Sequence, residues 1–402
     1  MNIIAEIGTS HSGSFEKAKA LIDECREAGA DSVKFQWVYA DEILHPDTGF
    51  VNLPGGKTPL YKRFKDLEVS PDFFEKCLEY THSLGMKFVC SPFGLRSLAE
   101  LEQIKPDAIK IASPEVNHIL LLQKISELYG KIPLILSSGV SKLGDLEEAI
   151  EILSQKKNQD LKEIKSCQKP LTLLHCSTFY PTPEEEYNVK CVKTLRQIFG
   201  VPTGISDHSL SPVLVPVLST AIGASVIEKH ITLSKKNSGL DDPVALEKEE
   251  FALMVHCVHQ TEALIKRFKN DDFAKSNGNL CKQEFSDENE ISGECFYEIF
   301  NQLKESFSEE KILKCLGSGV KKLSKSERAN YGRTNRSLHY MRNLKKGDFI
   351  REGDIEILRT EKILSPGIHP RYYKEILGTQ VQKDVDDGSG VQFEDFFEKL
   401  TK

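Results

Sequence analysis

Eight short, β-rich apolar runs, separated by segments with helical spacing, occupy the first 268 residues of this 402-residue chain. The runs lie at 2–7, 31–36, 87–91, 107–112, 132–137, 170–176, 201–206 and 225–231. Between them, apolar residues recur at helical intervals, as in Ala18, Leu21, Ile22 and Cys25, then Leu143, Leu146, Ile150 and Leu153, and later Phe251, Met254, Val255 and Val258. Strands alternating with helices pair in parallel through right-handed crossovers. Eight such units close most simply into an α/β fold of the (β/α)8 TIM-barrel type, for which about 250 residues is usual. An open doubly wound sheet is the alternative, but no GxGxxG turn follows any of the runs.

Composition narrows the class of protein. A net charge of −7 argues against a nucleic-acid partner. The ten cysteines form no CxxC pair, which suits buried thiols in a reducing compartment. The start, MNIIAEIG, lacks the basic-then-apolar pattern of a signal peptide. The uncharged stretch 209–227 carries Pro212, Pro216 and Gly223 and divides into a helix and a strand, so no membrane partner is expected. These features predict a soluble, cytoplasmic protein.

The barrel domain is therefore assigned to residues 1–268. Residues 269–330 read as a linker with a polar insertion, within which FYEIFNQLKESF can form a short helix. Residues 331–402, punctuated by turns such as LKKGD and DVDDGSG, read as a small β-rich module.

Polar residues gather where the eight runs end: Glu6; Lys34 and Gln36; Ser91; Lys110, Ser113 and Glu115; Ser137; His175 and Thr178; Ser206 and His208; Glu228 and His230. In a barrel these ends meet on one rim, where catalytic sites of this fold are built. Lys34 and Lys110, with the hydroxyls of Ser91, Ser113, Ser137 and Ser206, suit a phosphorylated or carboxylated anion. His208 and His230, on adjacent strand ends, can share a divalent cation, although lone histidines are more often structural. His256 and His259 have metal-like spacing but belong to the last barrel helix. Glu115 is the carboxylate best placed for proton transfer, and Glu6 reads as a hydrogen-bond anchor.

The ordered motifs AEIGTSHSGSFEKAKALI, AGADSVKFQ, KIASPE, LILSSGV, LLHCSTFYPTPEEEYN, GISDHS and GASVIEKHITL resemble the sialic acid synthase family. CLGSGVKK and NRSLHYMRNLKKGDFI are similar to that family's antifreeze-like (SAF) domain, the small β-rich module that follows its barrel. The resemblance implies condensation of phosphoenolpyruvate with an N-acylated amino sugar, N-acetylmannosamine by default, to a nine-carbon nonulosonic acid. It places the metal ligands, for Mn2+ or Mg2+, on His208 and His230. Phosphate and carboxylate contacts fall on Lys34, Lys110, Ser113, Ser137 and Ser206, with Ser91 and Thr178 beside them. The acid/base role falls on Glu115, and sugar contacts fall on Glu6, Gln36, Tyr180 and Asp241. It also implies a homodimer with exchanged caps, in which a cap arginine reaches the sugar's acyl group; Arg359 is the nearest match and Arg371 the second.

The barrel departs from the family pattern at three places, and in the C-terminal domain the family's RPG is not present as such and the insertion at 269–313 is unusual. GPDHxAS becomes Gly239–Ala245 without its His and Ser, a family Asn is Ser10, and TPFD becomes SPFG with Gly94. The altered loop leaves 2,4-diacetamido hexoses, precursors of legionaminic or pseudaminic acid, open as substrates. A carbohydrate-binding barrel without catalysis is the reading from another class, disfavoured by the paired histidines. A Schiff-base aldolase needs a lysine in an apolar site, whereas Lys34 and Lys110 share an anion pocket.

Overall fold

A computed structural model describes residues 1–53, 56–154, 170–237, 239–275 and 291–397. The eight runs form strands β1 (Asn2–Gly8), β2 (Ser32–Trp37), β3 (Lys87–Pro92), β4 (Ala108–Ile111), β5 (Leu134–Ser137), β6 (Leu171–Cys176), β7 (Thr203–Asp207) and β8 (Val226–His230). They pair in parallel, in chain order, and β8 closes on β1 with Glu6 opposite His230.

The crossover helices follow the apolar spacing. In Phe15–Glu27, Ser14 caps the N-terminus by accepting from the Lys17 amide, and Ala18, Leu21, Ile22 and Cys25 are buried. Helix Leu143–Ser154 buries Leu146 and Leu153 as expected, with Ala149 and Ile152 in place of Leu143 and Ile150, so its buried stripe is rotated. The stretch 209–227 becomes the fully buried helix Leu214–Ala221 and the start of β8. No described helix is long and apolar enough to cross a membrane.

Two expectations change beyond the barrel. The last barrel helix continues to Lys275, and the helices Gly293–Lys304 and Glu309–Leu316 follow the undescribed residues 276–290. FYEIFNQLKESF thus contributes a helix as read. These helices are not a solvated excursion, because Cys295, Ile299, Leu303, Ile312, Cys315 and Leu316 join the barrel's own core cluster. Their sequence looks polar because only one narrow face of each is apolar.

From Gly317 the chain is a strap laid across the rim. The Lys321 ammonium donates to the Ser138 carbonyl at 2.7 Å, and the buried Glu327 carboxylate accepts the Val140 and Thr178 amides. Asn330 and Asn335 donate to the Thr178 and Val140 carbonyls, both at 2.8 Å.

The strap ends in the cap, whose antiparallel strands β9 (Arg336–Tyr340) and β10 (Ile355–Arg359) place Arg336 opposite Arg359. Leu338, Tyr340, Ile350, Ile355, Val381 and Val391 form a core separate from the barrel's. Within this single chain the cap sits over its own barrel: the Arg359 amide donates to the Ile43 carbonyl at 2.9 Å.

The cap core also holds His339, whose ring lies between the Gly388 carbonyl and the hydroxyls of Ser337 and Thr360. Burial lowers its pKa from 6.5 to about 4, so the folded state keeps it neutral while the unfolded chain protonates it. The associated stability is complete above pH 6.5 and is lost as pH falls through 6.5 toward 4, to an upper limit of about 3 kcal/mol. The thermal midpoint of wild type should fall across that window more steeply than that of His339→Gln. Parallel curves in differential scanning calorimetry would disprove this account.

Candidate active site

Period-two alternation along the barrel strands builds the site in layers. Ile4, Val89, Ala108, Ile135, Leu174 and Val226 point inward as a buried apolar floor. Two residues further along the same strands come Glu6, Ser91, Lys110, Ser137, Cys176 and Glu228, and Lys34 and Ser206 complete this polar layer from β2 and β7. The same parity turns Asp207 and Lys229 outward, where they form a fully buried pair at 2.7 Å behind the barrel wall.

Within the polar layer the charges form a chain. Glu6 Oε1 lies 2.8 Å from Lys34 Nζ, which lies 3.8 Å from Glu228 Oε1. Lys110 Nζ donates to both Glu228 oxygens at 2.7 and 2.8 Å, and Ser206 Oγ donates to Oε1 at 2.9 Å. Burial alone would raise the Glu228 pKa, but the two ammoniums and these hydrogen bonds hold it at about 2. Lys34 is held above its ordinary value despite burial because Glu228 and Glu6 both face it. Burial draws Lys110 below its own, with Glu228 opposing and Lys34 adding.

The upper layer carries the histidines. The ring centres of His208 and His230 are 5.6 Å apart. His208 Nδ1 donates to the Ser177 carbonyl at 2.8 Å, which aims Nε2 at the cavity side, 3.1 Å from the Tyr180 hydroxyl. Although burial opposes it, Cys176 and the Ser177 carbonyl raise the pKa of this ring, so a cation bound at Nε2 would displace a proton. Burial holds His230 well below the usual histidine pKa, so its imidazole is neutral and able to ligate. Asp241 lies 3.8 Å from His230, and burial, reinforced by Glu6, raises its carboxyl to about 6.

A divalent cation fits these residues. The two imidazoles offer nitrogen donors, and Glu6, opposite His230 across β1 and β8, has its Oε2 buried without a hydrogen-bond partner. Among the described residues no three His, Cys, Asp or Glu side chains close around one point, so water or substrate oxygen would complete the coordination.

The resulting cavity of about 200 Å³ is lined by Glu6, Lys34, Gln36, Lys110, Ser113, Ser137, Thr178, Tyr180, Ser206, His208, His230, Asp241 and Arg359 among the expected residues. Two expected residues do not line it. Ser91 is buried below with its hydroxyl unpartnered. Glu115 is fully buried, and its Oε1 accepts from Arg336 at 2.9 and 3.1 Å and from Arg359 at 2.8 and 3.2 Å. That oxygen is committed to two guanidiniums, so a free proton-transfer carboxylate at the rim is not what this geometry presents. Arg371 pairs with Glu148 on an outer helix, away from the cavity, and His256 and His259 are exposed on the last barrel helix.

Several lining residues have no role assigned from the sequence: Glu228, noted only as a polar strand end, and Cys176, Phe64, Phe93, Leu240 and Thr334. Glu228 had a signal, since it shares the parity of His230 in VIEKH. The three departures from the family pattern acquire partners. Asp242, in the altered loop, accepts from Ser10 Oγ at 2.8 Å, Thr232 Oγ1 at 2.7 Å and the Gly239 amide at 2.7 Å, and so presents Leu240 and Asp241 to the cavity. At Gly94, a Cβ would meet the Glu42 carboxyl carbon at 2.4 Å, and that carboxylate accepts the Arg96 and Ser97 amides at the start of helix Leu95–Ile104.

Comparison with known proteins agrees with this architecture. The NeuB family model matches residues 21–270 and the SAF domain model matches residues 335–396. The pseudaminic acid synthase of Campylobacter jejuni is 30% identical over 399 residues, covering 98% of this chain and 96% of that protein. The N,N'-diacetyllegionaminic acid synthase of Legionella pneumophila is 29% identical, covering 98% and 93%. The crystal structure of the spore coat polysaccharide biosynthesis protein SpsE from Bacillus subtilis superposes with a TM-score of 0.74 at 27% identity, over 99% of this chain and 95% of that one. With a closed eight-stranded barrel, a cap of the matching type and a family model spanning more than half its length, the chain belongs to the NeuB family of nonulosonic acid synthases.

Proposed function

We propose that the chain joins phosphoenolpyruvate to the open-chain form of an N-acylated amino sugar, releasing phosphate and a nine-carbon acid. The observation that carries this is the charge balance of the cavity. Lys34, Lys110 and Arg359 stand against Glu6, Glu228 and Asp241, three cations to three carboxylates. A phosphorylated, carboxylated substrate adds negative charge, which calls for a divalent cation at His208 and His230. Bound there, Mn2+ or Mg2+ would supply Lewis-acid polarisation of the sugar aldehyde.

The chain's own residues bind and orient. Lys34 and Lys110, held in place by Glu6 and Glu228, hold the phosphate and carboxylate, and Ser113, Ser137 and Ser206 add hydroxyl donors. Glu228 is ionised at neutral pH and acts as their orienting counter-charge. C3 of phosphoenolpyruvate bonds to the aldehyde carbon, whose oxygen takes up a proton. Water adds at C2 and gives up a proton, and phosphate leaves as the C–O bond breaks. Gln36, Tyr180, Asp241 and Arg359 would hold the sugar. Phe93, whose ring lies under the Arg359 guanidinium, packs in one cluster with Phe64, and with Leu240, which also lines the cavity, this apolar lining suits methyl groups of acyl and deoxy positions. Two full-length relatives, synthases of pseudaminic and N,N'-diacetyllegionaminic acid, together with this apolar lining, support reading 2,4-diacetamido hexoses as substrates alongside the default N-acetylmannosamine.

The reaction makes the protein a transferase that works where phosphoenolpyruvate is made. A cytoplasmic location fits this and the eight described cysteines, all free. A homodimer with exchanged caps belongs to the same proposal, exchange handing to a partner the contacts that one chain makes with itself.

Purified protein given phosphoenolpyruvate, Mn2+ and a panel of acylated hexosamines should form a nine-carbon acid detectable by mass spectrometry, with the diacetamido sugars among those turned over. A panel with no product overturns the reading. Chelation should abolish turnover and Mn2+ or Mg2+ should restore it; full activity in exhaustive chelator would remove the metal. Lys110→Ala should raise the KM for phosphoenolpyruvate about 10- to 100-fold, the worth of a charge-assisted hydrogen bond, and an unchanged KM would refute its role. Co-refolding His230→Ala with Arg359→Ala should return about a quarter of wild-type activity if caps are exchanged, and none if each cap serves its own barrel.

A further inference from the structure

Arg336 lies outside the cavity, yet it is among the largest fully buried side chains of the molecule. Its guanidinium crosses from the cap into the barrel. It donates twice to Glu115 Oε1, to the Phe93 carbonyl at 2.8 Å, to the Glu42 carbonyl, and back to Ile357 in its own sheet at 3.1 Å. The adjoining Asn117 side chain accepts the Arg336 amide at 3.1 Å and donates to its carbonyl at 2.8 Å.

Register explains why the cluster needs both domains. Arg336 and Arg359 are directly opposite on β9 and β10, an arrangement that like charges disfavour. Glu115 supplies the missing charge from the barrel, its Oε1 shared by both guanidiniums. Without the seated cap, Glu115 would be a carboxylate beneath the rim with no cation paired to it among the described residues. Without the barrel, the cap would hold two facing cations. Each half is completed only by the other.

We propose that Arg336 is a positioning residue for the sugar subsite: with Glu115 it forms a latch that seats the cap and aims the Arg359 guanidinium at the cavity mouth. Phe93, whose carbonyl Arg336 holds, also lies under Arg359, with its ring centre 5.3 Å from the guanidinium carbon. The latch therefore fixes both the arginine and the apolar lining beside it. Lys34, Lys110, Ser137 and Ser206, the phosphoenolpyruvate contacts on β2, β4, β5 and β7, share no hydrogen bond with the latch among the described residues, and Ser113 alone adjoins it, in the 3-10 turn Ser113–Glu115. The kinetic part of this inference rests on the synthase reading above; the cap-seating part does not.

The test compares Arg336→Gln, Arg336→Lys and Glu115→Gln with wild type by steady-state kinetics and by limited proteolysis of the strap at residues 317–335. Arg336→Gln should raise the KM for the amino sugar about tenfold or more, leave the KM for phosphoenolpyruvate within about twofold, and speed strap cleavage. Arg336→Lys, which keeps the charge, should recover part of both effects, and Glu115→Gln should resemble Arg336→Gln. A folded Arg336→Gln or Arg336→Lys chain with unchanged sugar KM and cleavage rate overturns the latch. So does a Glu115→Gln chain that loses about 10²–10⁴ in kcat with both KM values intact, since that is the signature of acid–base catalysis. If no sugar reacts even with wild type, the synthase reading fails, and accelerated strap cleavage still decides whether the latch exists.

Discussion

Two ammoniums and two carboxylates buried side by side in the throat of the barrel are the constraint around which the rest is arranged. Lys34, Glu6, Lys110 and Glu228 are each almost wholly removed from water. An unpaired charge at that depth is costly, so each needs its partner at hydrogen-bond distance. The register meets that need: Glu6 faces Lys34 across β1 and β2, and Ser206 faces Glu228 across β7 and β8. The apolar floor beneath excludes water from below, and the strap and cap narrow access from above. An anion entering this space meets donors already oriented by the carboxylates they are paired with.

Much of this was legible in the chain. The eight runs became the eight strands, and the polar strand ends became the rim, because both follow from local alternation. What escaped was what depends on distant pieces meeting. Glu228 stood beside His230 in plain view, but its service to two lysines depends on barrel closure. Glu115 followed Lys110 closely enough to look like a rim acid, yet its environment is made by two arginines more than 200 residues away. The polar stretch after the barrel looked like a linker because composition averages over the helix faces that segregate its apolar residues.

The departures from the family pattern show the same dependence on pairing. Ser10 and the loop around Asp242 look like separate substitutions, but they share one hydrogen bond, and Thr232 and Gly239 complete the cluster. Gly94 leaves a helix start without its own cap, and Glu42 fills the space a side chain would occupy. In the first case two departures meet in one hydrogen bond, and in the second the space is filled from another segment.

The helices Gly293–Lys304 and Glu309–Leu316 are stitched to the barrel before the strap begins. The Val189 and Lys190 amides donate to the Cys315 and Leu316 carbonyls, and Asn188 and Thr194 grip Gly319 and Val320. This stitching is a mechanical anchor between the helices that follow the barrel and the working end. Changes of length ahead of Gly293 are absorbed upstream of it, and the strap starts from the same point whatever precedes it. The seating of the cap is therefore set downstream of Gly293, by contacts that begin with Asn188, Val189 and Lys190 of the barrel.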